Sequence, residues 1–167
     1  MRIRNFMLIC AVLVAGIAGP AQSAKPGPDP IAKVAEDDGR FTTLLAALGC
    51  TGLAPTFAGN QGRYTVFAPT DDAFADINLN ASSVCGIDLE VLTGILAYHV
   101  TPGTRLSQSV LGAGSIRMLD GNNAWVSATA EGVFINDARL LAPELIDIRA
   151  SNGVIHVIDA VLMPPTE

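Results

Sequence analysis

Cations are scarce in this sequence, and no two of them are adjacent. Ten of the 167 residues are Lys or Arg, against 16 Asp and Glu, for a formal charge of −6. Lys25 and Lys33 are its only lysines. A nucleic-acid backbone or an anionic membrane surface is held by a basic face. Without a Lys/Arg run those partners are excluded, while a basic partner is not. Histidine is scarcer still, with only His99 and His156. A structural zinc site takes four Cys or His ligands. Here it would need both histidines with Cys50 and Cys85, and no two of these are closely spaced. No metal and no cofactor are therefore expected.

Catalytic patterns are missing too. There is no Gly-x-Ser-x-Gly nucleophile elbow, no Cys-x-x-Cys and no Arg-Gly-Asp. Gly112-Ala113-Gly114-Ser115 lacks the third glycine and the following helix of a phosphate loop. Asp71-Asp72 stands at a predicted helix start, where carboxylates cap free N–H groups and suit the helix dipole. The expectation is a protein without catalytic residues, and not an enzyme.

One long apolar run exists, Phe6 to Ala18. It follows Arg2 and Arg4 and precedes Gly19-Pro20-Ala21-Gln22-Ser23-Ala24. That is the order of a secretory signal peptide. The run falls short of the roughly 20 residues a membrane span needs. Residues 1–23 are expected to be a signal peptide cleaved after Ser23, and 24–29 a flexible leader. A single domain is expected over 30–165. Met7-Leu8-Ile9 before Cys10 rules out a lipobox. The mature chain is expected in the periplasm or secreted, with no transmembrane segment. It would carry eight cations against sixteen acids, a charge of −8. It would also keep two cysteines, Cys50 and Cys85. An oxidising compartment favours their pairing, with two free thiols as the alternative. Closing that loop is worth roughly 3–4 kcal/mol in the chain-entropy picture.

Periodicity then sketches the elements. Asp29-Pro30 reads as a helix start. Phe41, Leu44, Leu45 and Leu48 form an amphipathic helix that Gly49 is expected to end. Residues 52–58 add one more turn. Arg63 to Ala68 reads as a buried strand stopped by Pro69. Thr70 or Asp71 starts the next helix. Asp88 caps another, with Leu89, Leu92, Ile95 and Leu96 on one face. Strands follow from about Leu111, including strand material around Pro143 and a hairpin at Asn152-Gly153. Val154 to Met163 is expected to be a strand buried on both faces. The class is α+β, with helices in the first half and antiparallel strands in the second.

Three segments carry a resemblance. Tyr64-Thr65-Val66-Phe67-Ala68-Pro69-Thr70-Asp71-Asp72-Ala73-Phe74 is similar to the first signature of the fasciclin (FAS1) domain family. Asn152 to Pro164 is similar to its second, and Leu96-Ala97-Tyr98-His99-Val100 to its tyrosine–histidine motif. The resemblance implies a FAS1-like fold, a β-wedge of about seven strands with a helical layer from the N-terminal half. It implies that Thr70, Asp71, His156 and Asp159 are structural, satisfying backbone groups where the helix start meets the central strands. It places Tyr98 and His99 where animal members are implicated in integrin binding. The implied function is cell adhesion or extracellular-matrix binding, with a cell-surface or matrix protein or glycan as partner. The alternative is a carrier for a small apolar ligand, a lipid or pigment. Trp125, Tyr64, Tyr98 and the phenylalanines are the aromatics available to line such a pocket, and some of them must serve the core.

Overall fold

The computed structural model describes residues 29–59, 62–141 and 147–165. The expected signal peptide, the leader up to Pro28, and Pro143 lie outside the described residues. The chain order is α1 (Ile31–Asp38), α2 (Thr42–Cys50), α3 (Ala54–Ala58), β1 (Tyr64–Pro69), α4 (Asp71–Asp76), a 3₁₀ turn (Val84–Gly86), α5 (Leu89–Tyr98), β2 (Val100–Pro102) and α6 (Ser107–Leu111). The strands β3 (Ser115–Arg117), β4 (Asn123–Thr129), β5 (Gly132–Ile135), β6 (Ala138–Arg139), β7 (Ile148–Ala150) and β8 (Gly153–Ile158) complete it.

Among the described residues, eight strands form two four-stranded sheets, ordered β2-β1-β8-β7 and β3-β4-β5-β6. The expected count was about seven, with the strand at Arg63–Ala68 in the first half and antiparallel strands in the second. The strand at 63–68 is β1, and it runs parallel to β8, from Tyr64↔Gly153 to Pro69↔Ile158. A parallel pair needs a long crossover; here nearly the whole domain is that connection. Both strands are covered on both faces. Val66, Ala68, Ile155 and Val157 pack under the helices with Phe41, Leu44 and Leu96. Phe67 and Ile158 point to the second sheet, among Ile116, Ala124, Ile135 and Leu140. Two-sided burial explains why both segments read as near-continuous apolar runs.

Glycine at position 153 is required by the β1–β8 approach. A Cβ there would penetrate the carbonyl of Tyr64. The hairpin itself turns through Ser151-Asn152, with Ala150 opposite Gly153, one residue earlier than expected.

Other boundaries shift for identifiable reasons. Pro30, not Asp29, is the N-cap residue of α1. The Ile31 N–H donates instead to Asn152 Oδ1 at 2.8 Å. α2 passes through Gly49 to Cys50 and is stopped at Thr51. Leu89 is 55% exposed, while Leu92, Ile95 and Leu96 are buried; Leu89 is the first residue of α5 and lies off the packed stripe. Asp88 does cap α5, accepting from the N–H groups of Glu90 and Val91. β8 ends at Ile158, short of the expected Met163, because the chain turns toward the second sheet: the Asp159 N–H donates to the Arg139 carbonyl at 3.1 Å. The short helix α6 had no counterpart in the periodicity. Cys50 and Cys85 are joined as a disulfide with Cα atoms 5.7 Å apart, tying α2 to the 3₁₀ turn. No described helix is long and apolar enough to cross a membrane.

Candidate interaction site around Tyr98 and Trp125

Tyr98 and His99 end α5 and lead into β2. Their side chains are 2% and 1% exposed. His99 Nδ1 is 2.7 Å from the Ile95 carbonyl, the distance at which its N–H donates. Nε2 accepts the Leu162 N–H at 2.9 Å. Both ring nitrogens are thereby occupied by backbone, in the neutral form. Burial pushes the His99 pKa down to about 4, against the raising effect of the Ile95 carbonyl. His99 is thus a clamp between the end of α5 and the segment after β8. A partner could not touch this ring without unfolding its surroundings.

Tyr98 is buried but its hydroxyl reaches the surface of the second sheet. It donates to the Asn123 carbonyl at 3.0 Å and accepts from Asn136 Nδ2 at 2.9 Å. Asn136 sits at φ 53° in the two-residue turn between β5 and β6. Its Oδ1 accepts the Trp125 N–H at 2.8 Å, and its own N–H donates to the Trp125 carbonyl at 2.7 Å. Three hydrogen bonds therefore fix the backbone of Trp125 and the hydroxyl of Tyr98 to one asparagine.

Trp125 lines a surface groove of about 410 Å³, together with Tyr98, Asn123, Asn136, Asp137, Met163 and Pro165. It is the sole tryptophan, and it is 67% exposed. It is therefore not among the aromatics of the core. The alternation in β4 contains the signal: Ala124 is buried, so period 2 sends Trp125 outward. Met163 beside it is 59% exposed. Among the described residues no Lys or Arg lines the groove.

The signature residues lie elsewhere. The Thr70 hydroxyl accepts the Ala73 N–H at 3.3 Å, capping α4. Asp71 caps a different helix from its own. Its carboxylate accepts the Thr43 N–H and the Thr42 hydroxyl, both at 2.7 Å, at the start of α2. Burial works against the Asp71 charge, yet the Thr43 and Thr42 hydrogen bonds outweigh it and hold the carboxyl below its usual range. Asp159 Oδ1 accepts the Arg139 N–H at 2.8 Å and so joins the end of β8 to β6, one residue after Ile158, whose carbonyl accepts the Thr70 N–H at the start of α4. His156 lies within β8, opposite Phe67 of β1. It stacks on Phe67, with Nε2 2.8 Å from the Arg105 carbonyl and Nδ1 accepting the Asp147 N–H at 3.2 Å. Burial lowers its pKa, partly offset by the Arg105 carbonyl and the Asp147 charge.

Ser107, Asp147 and His156 thus come together, which the sequence did not reveal. They are not arranged as a nucleophilic triad. The Ser107 hydroxyl donates to Asp147 Oδ2 at 2.6 Å, so the carboxylate, not the imidazole, receives it. Both ring nitrogens of His156 are occupied by backbone, leaving no base for the hydroxyl. Among the described residues no three His, Cys, Asp or Glu side chains form a metal-binding group.

An apolar cavity lies between the helices and the first sheet, lined by Ile31, Leu44, Phe57, Leu96, Val100 and Ile155 among others. Its volume is about 20 Å³. That is room for one water-sized molecule, not for a lipid or pigment.

The paired sheets, the parallel central strands and the helical cap define a FAS1-type α+β domain. The chain belongs to the fasciclin family: the Fasciclin domain model matches residues 39–164. Protein sll1483 of Synechocystis is 35% identical over 147 residues, covering 87% of this chain and 79% of that protein. Cell surface glycolipoprotein MPB83 of Mycobacterium bovis is 30% identical over 154 residues, covering 89% and 67%. Among solved structures, a FAS1 domain pair from the insect cell adhesion molecule fasciclin I has the same fold. The TM-score is 0.64 at 16% identity, over 81% of this chain and 51% of that one.

Proposed function

We propose that this chain is an exported, non-catalytic FAS1 module that binds a cell-surface or extracellular-matrix component, in adhesion or surface attachment. The observation that carries the reading is the groove above Tyr98. A lone exposed tryptophan and an exposed methionine sit on a backbone that Asn136 holds rigid. Aromatic and methionine side chains presented this way are typical of recognition surfaces. The family supports it: a relative is a cell surface glycolipoprotein, and a protein of the same fold is a cell adhesion molecule. The signal-like residues 1–23 support export. Tyr98 and His99 serve this reading from beneath, by holding the surface that a partner would touch. The Ser107–Asp147–His156 geometry argues against hydrolysis. The small core cavity argues against the carrier alternative, since an apolar ligand would need space that the packed core does not offer.

The test is capture from surface and culture extracts on immobilised protein, comparing the native chain with Met163→Glu. Binding of a defined component that Met163→Glu loses, with folding retained by circular dichroism, is the expected result. Capture of nothing, or of components that ignore the substitution, would overturn the placement of the site.

A further inference from the structure

We propose that the Trp125 groove is a binding site for a neutral glycan. This deepens the interaction reading and rests on it. A sugar ring offers a flat face of C–H groups and a rim of hydroxyls. A receptor for it needs one exposed aromatic face with planar amides or carboxylates beside it. The groove supplies that set: the Trp125 indole as platform, and Asn123 and Asp137 exposed at its edges. Indole rings combine apolar faces with a polar N–H and suit such mixed contacts.

The platform is preorganised. Asn136 holds both the N–H and the carbonyl of Trp125, and β4 is an inner strand of its sheet, between β3 and β5. Rigid sites lose less entropy on binding. The same inner position removes a competing mode. A peptide recognised by strand addition needs an unpaired edge, and over Trp125 β4 has paired neighbours on both sides.

Charge selects among glycans. Among the described residues no cation lines the groove and Asp137 is its single carboxylate, and the chain as a whole carries −6. Phosphate, sulfate and uronate groups would meet repulsion without a compensating charge. Length also enters. A second depression of about 110 Å³ shares Asn136, Asp137 and Met163 with the main groove. Two adjoining compartments fit consecutive sugar units better than a single monosaccharide. Asn136 is a positioning residue here, because its amide is already engaged by Tyr98 and Trp125.

Because Trp125 is the sole tryptophan, its fluorescence reports this site alone. The full chain is titrated with neutral oligosaccharides (β-glucan, mannan, galactan and N-acetylglucosamine hexamers). Polygalacturonate and heparin fragments serve as anionic probes. At least one neutral oligomer is expected to shift the emission and protect it from acrylamide quenching, with longer oligomers binding tighter than monomers. Trp125→Ala, an exposed position that leaves the core intact, is expected to lose at least about tenfold in affinity by calorimetry, as truncation of an aromatic anchor does. Asp137→Ala should weaken binding as well. No response to any neutral oligomer, a preference for anionic probes, or binding indifferent to Trp125→Ala overturns the glycan assignment. If a protein from surface extract is captured through Met163 while every glycan fails, the glycan assignment falls and the interaction reading stands. If both fail, both fall.

Discussion

Leu162 donates its backbone N–H to Nε2 of His99 at 2.9 Å, across 63 residues of sequence. The bond exists only while that nitrogen carries no proton. Burial keeps it so, lowering the His99 pKa to about 4, against roughly 6.5 for a histidine in the unfolded chain. Between those values the unfolded state binds the proton and the folded state does not, so stability rises with pH. The contribution is complete above about pH 6.5 and is lost as pH falls toward 4. It amounts to about 3 kcal/mol. His156, also lowered by burial, acts in the same direction. Urea unfolding at pH 7, 5.5 and 4.5 should show a steady fall of the midpoint. A flat profile over that range would contradict a neutral, buried His99.

Asn152 is a second fixed point. Its side chain accepts the Ile31 N–H at 2.8 Å and donates to the carbonyls of Phe57 and Gly59 at 2.9 and 2.8 Å. Asn152→Ala leaves three backbone groups without that partner at a buried position. A loss of about 3 kcal/mol is expected, with an unchanged denaturant slope. Asn152→Asp should be no better, because the two donor bonds disappear. Chemical denaturation of both variants checks this; near-native stability in Asn152→Asp would count against the assigned network.

For His156, removal of the ring leaves the Asp147 N–H and the Arg105 carbonyl without their partner and opens space beside Phe67. His156→Ala should destabilise by about 1–3 kcal/mol. A neutral variant would mean that solvent already satisfies those groups.

Replacing Cys50 and Cys85 together by serine should cost about 3–4 kcal/mol, since the bridge closes a separation of 35 residues. Intact mass of freshly exported protein, measured without reductant, should be lower by two hydrogens than the dithiol form. Two free thiols there would mean that the bond does not form on export.

At the N-terminus of α2, Asp71→Ala removes the acceptor for the Thr43 N–H and the Thr42 hydroxyl. The expected cost is about 1 kcal/mol. Asp71→Asn should recover part of it, because one amide oxygen remains to accept. Equal losses for the two variants would show that charge, rather than hydrogen bonding, is what Asp71 supplies.

Much of the fold was legible in the sequence because it depends on local rules. Leu44, Leu45 and Leu48 announce α2 through helical spacing, Asp88 marks the start of α5, and the β-rich run before Pro69 marks β1. The two signature segments identified the family, and their unbroken apolar character reflected burial on both faces. Tertiary structure alone decided where the polar groups went. Asn152 looked like a turn residue, yet its partners lie up to 121 residues away. Asp71 looked like a cap for its own helix and caps another. The resemblance offered Tyr98 and His99 as contact residues, beside the reading of His99 as a packed polar residue bonded to backbone, and packing against the returning chain buried both. Trp125 could be placed outward by β4 alternation, but only the turn at Asn136 and the residues Met163 and Pro165 made a groove with it. Helix and strand periods depend on neighbours a few residues apart, which a sequence displays directly. Burial and hydrogen-bond partners depend on which distant segments meet, and that is settled only when the central strands pair and the helices close over them.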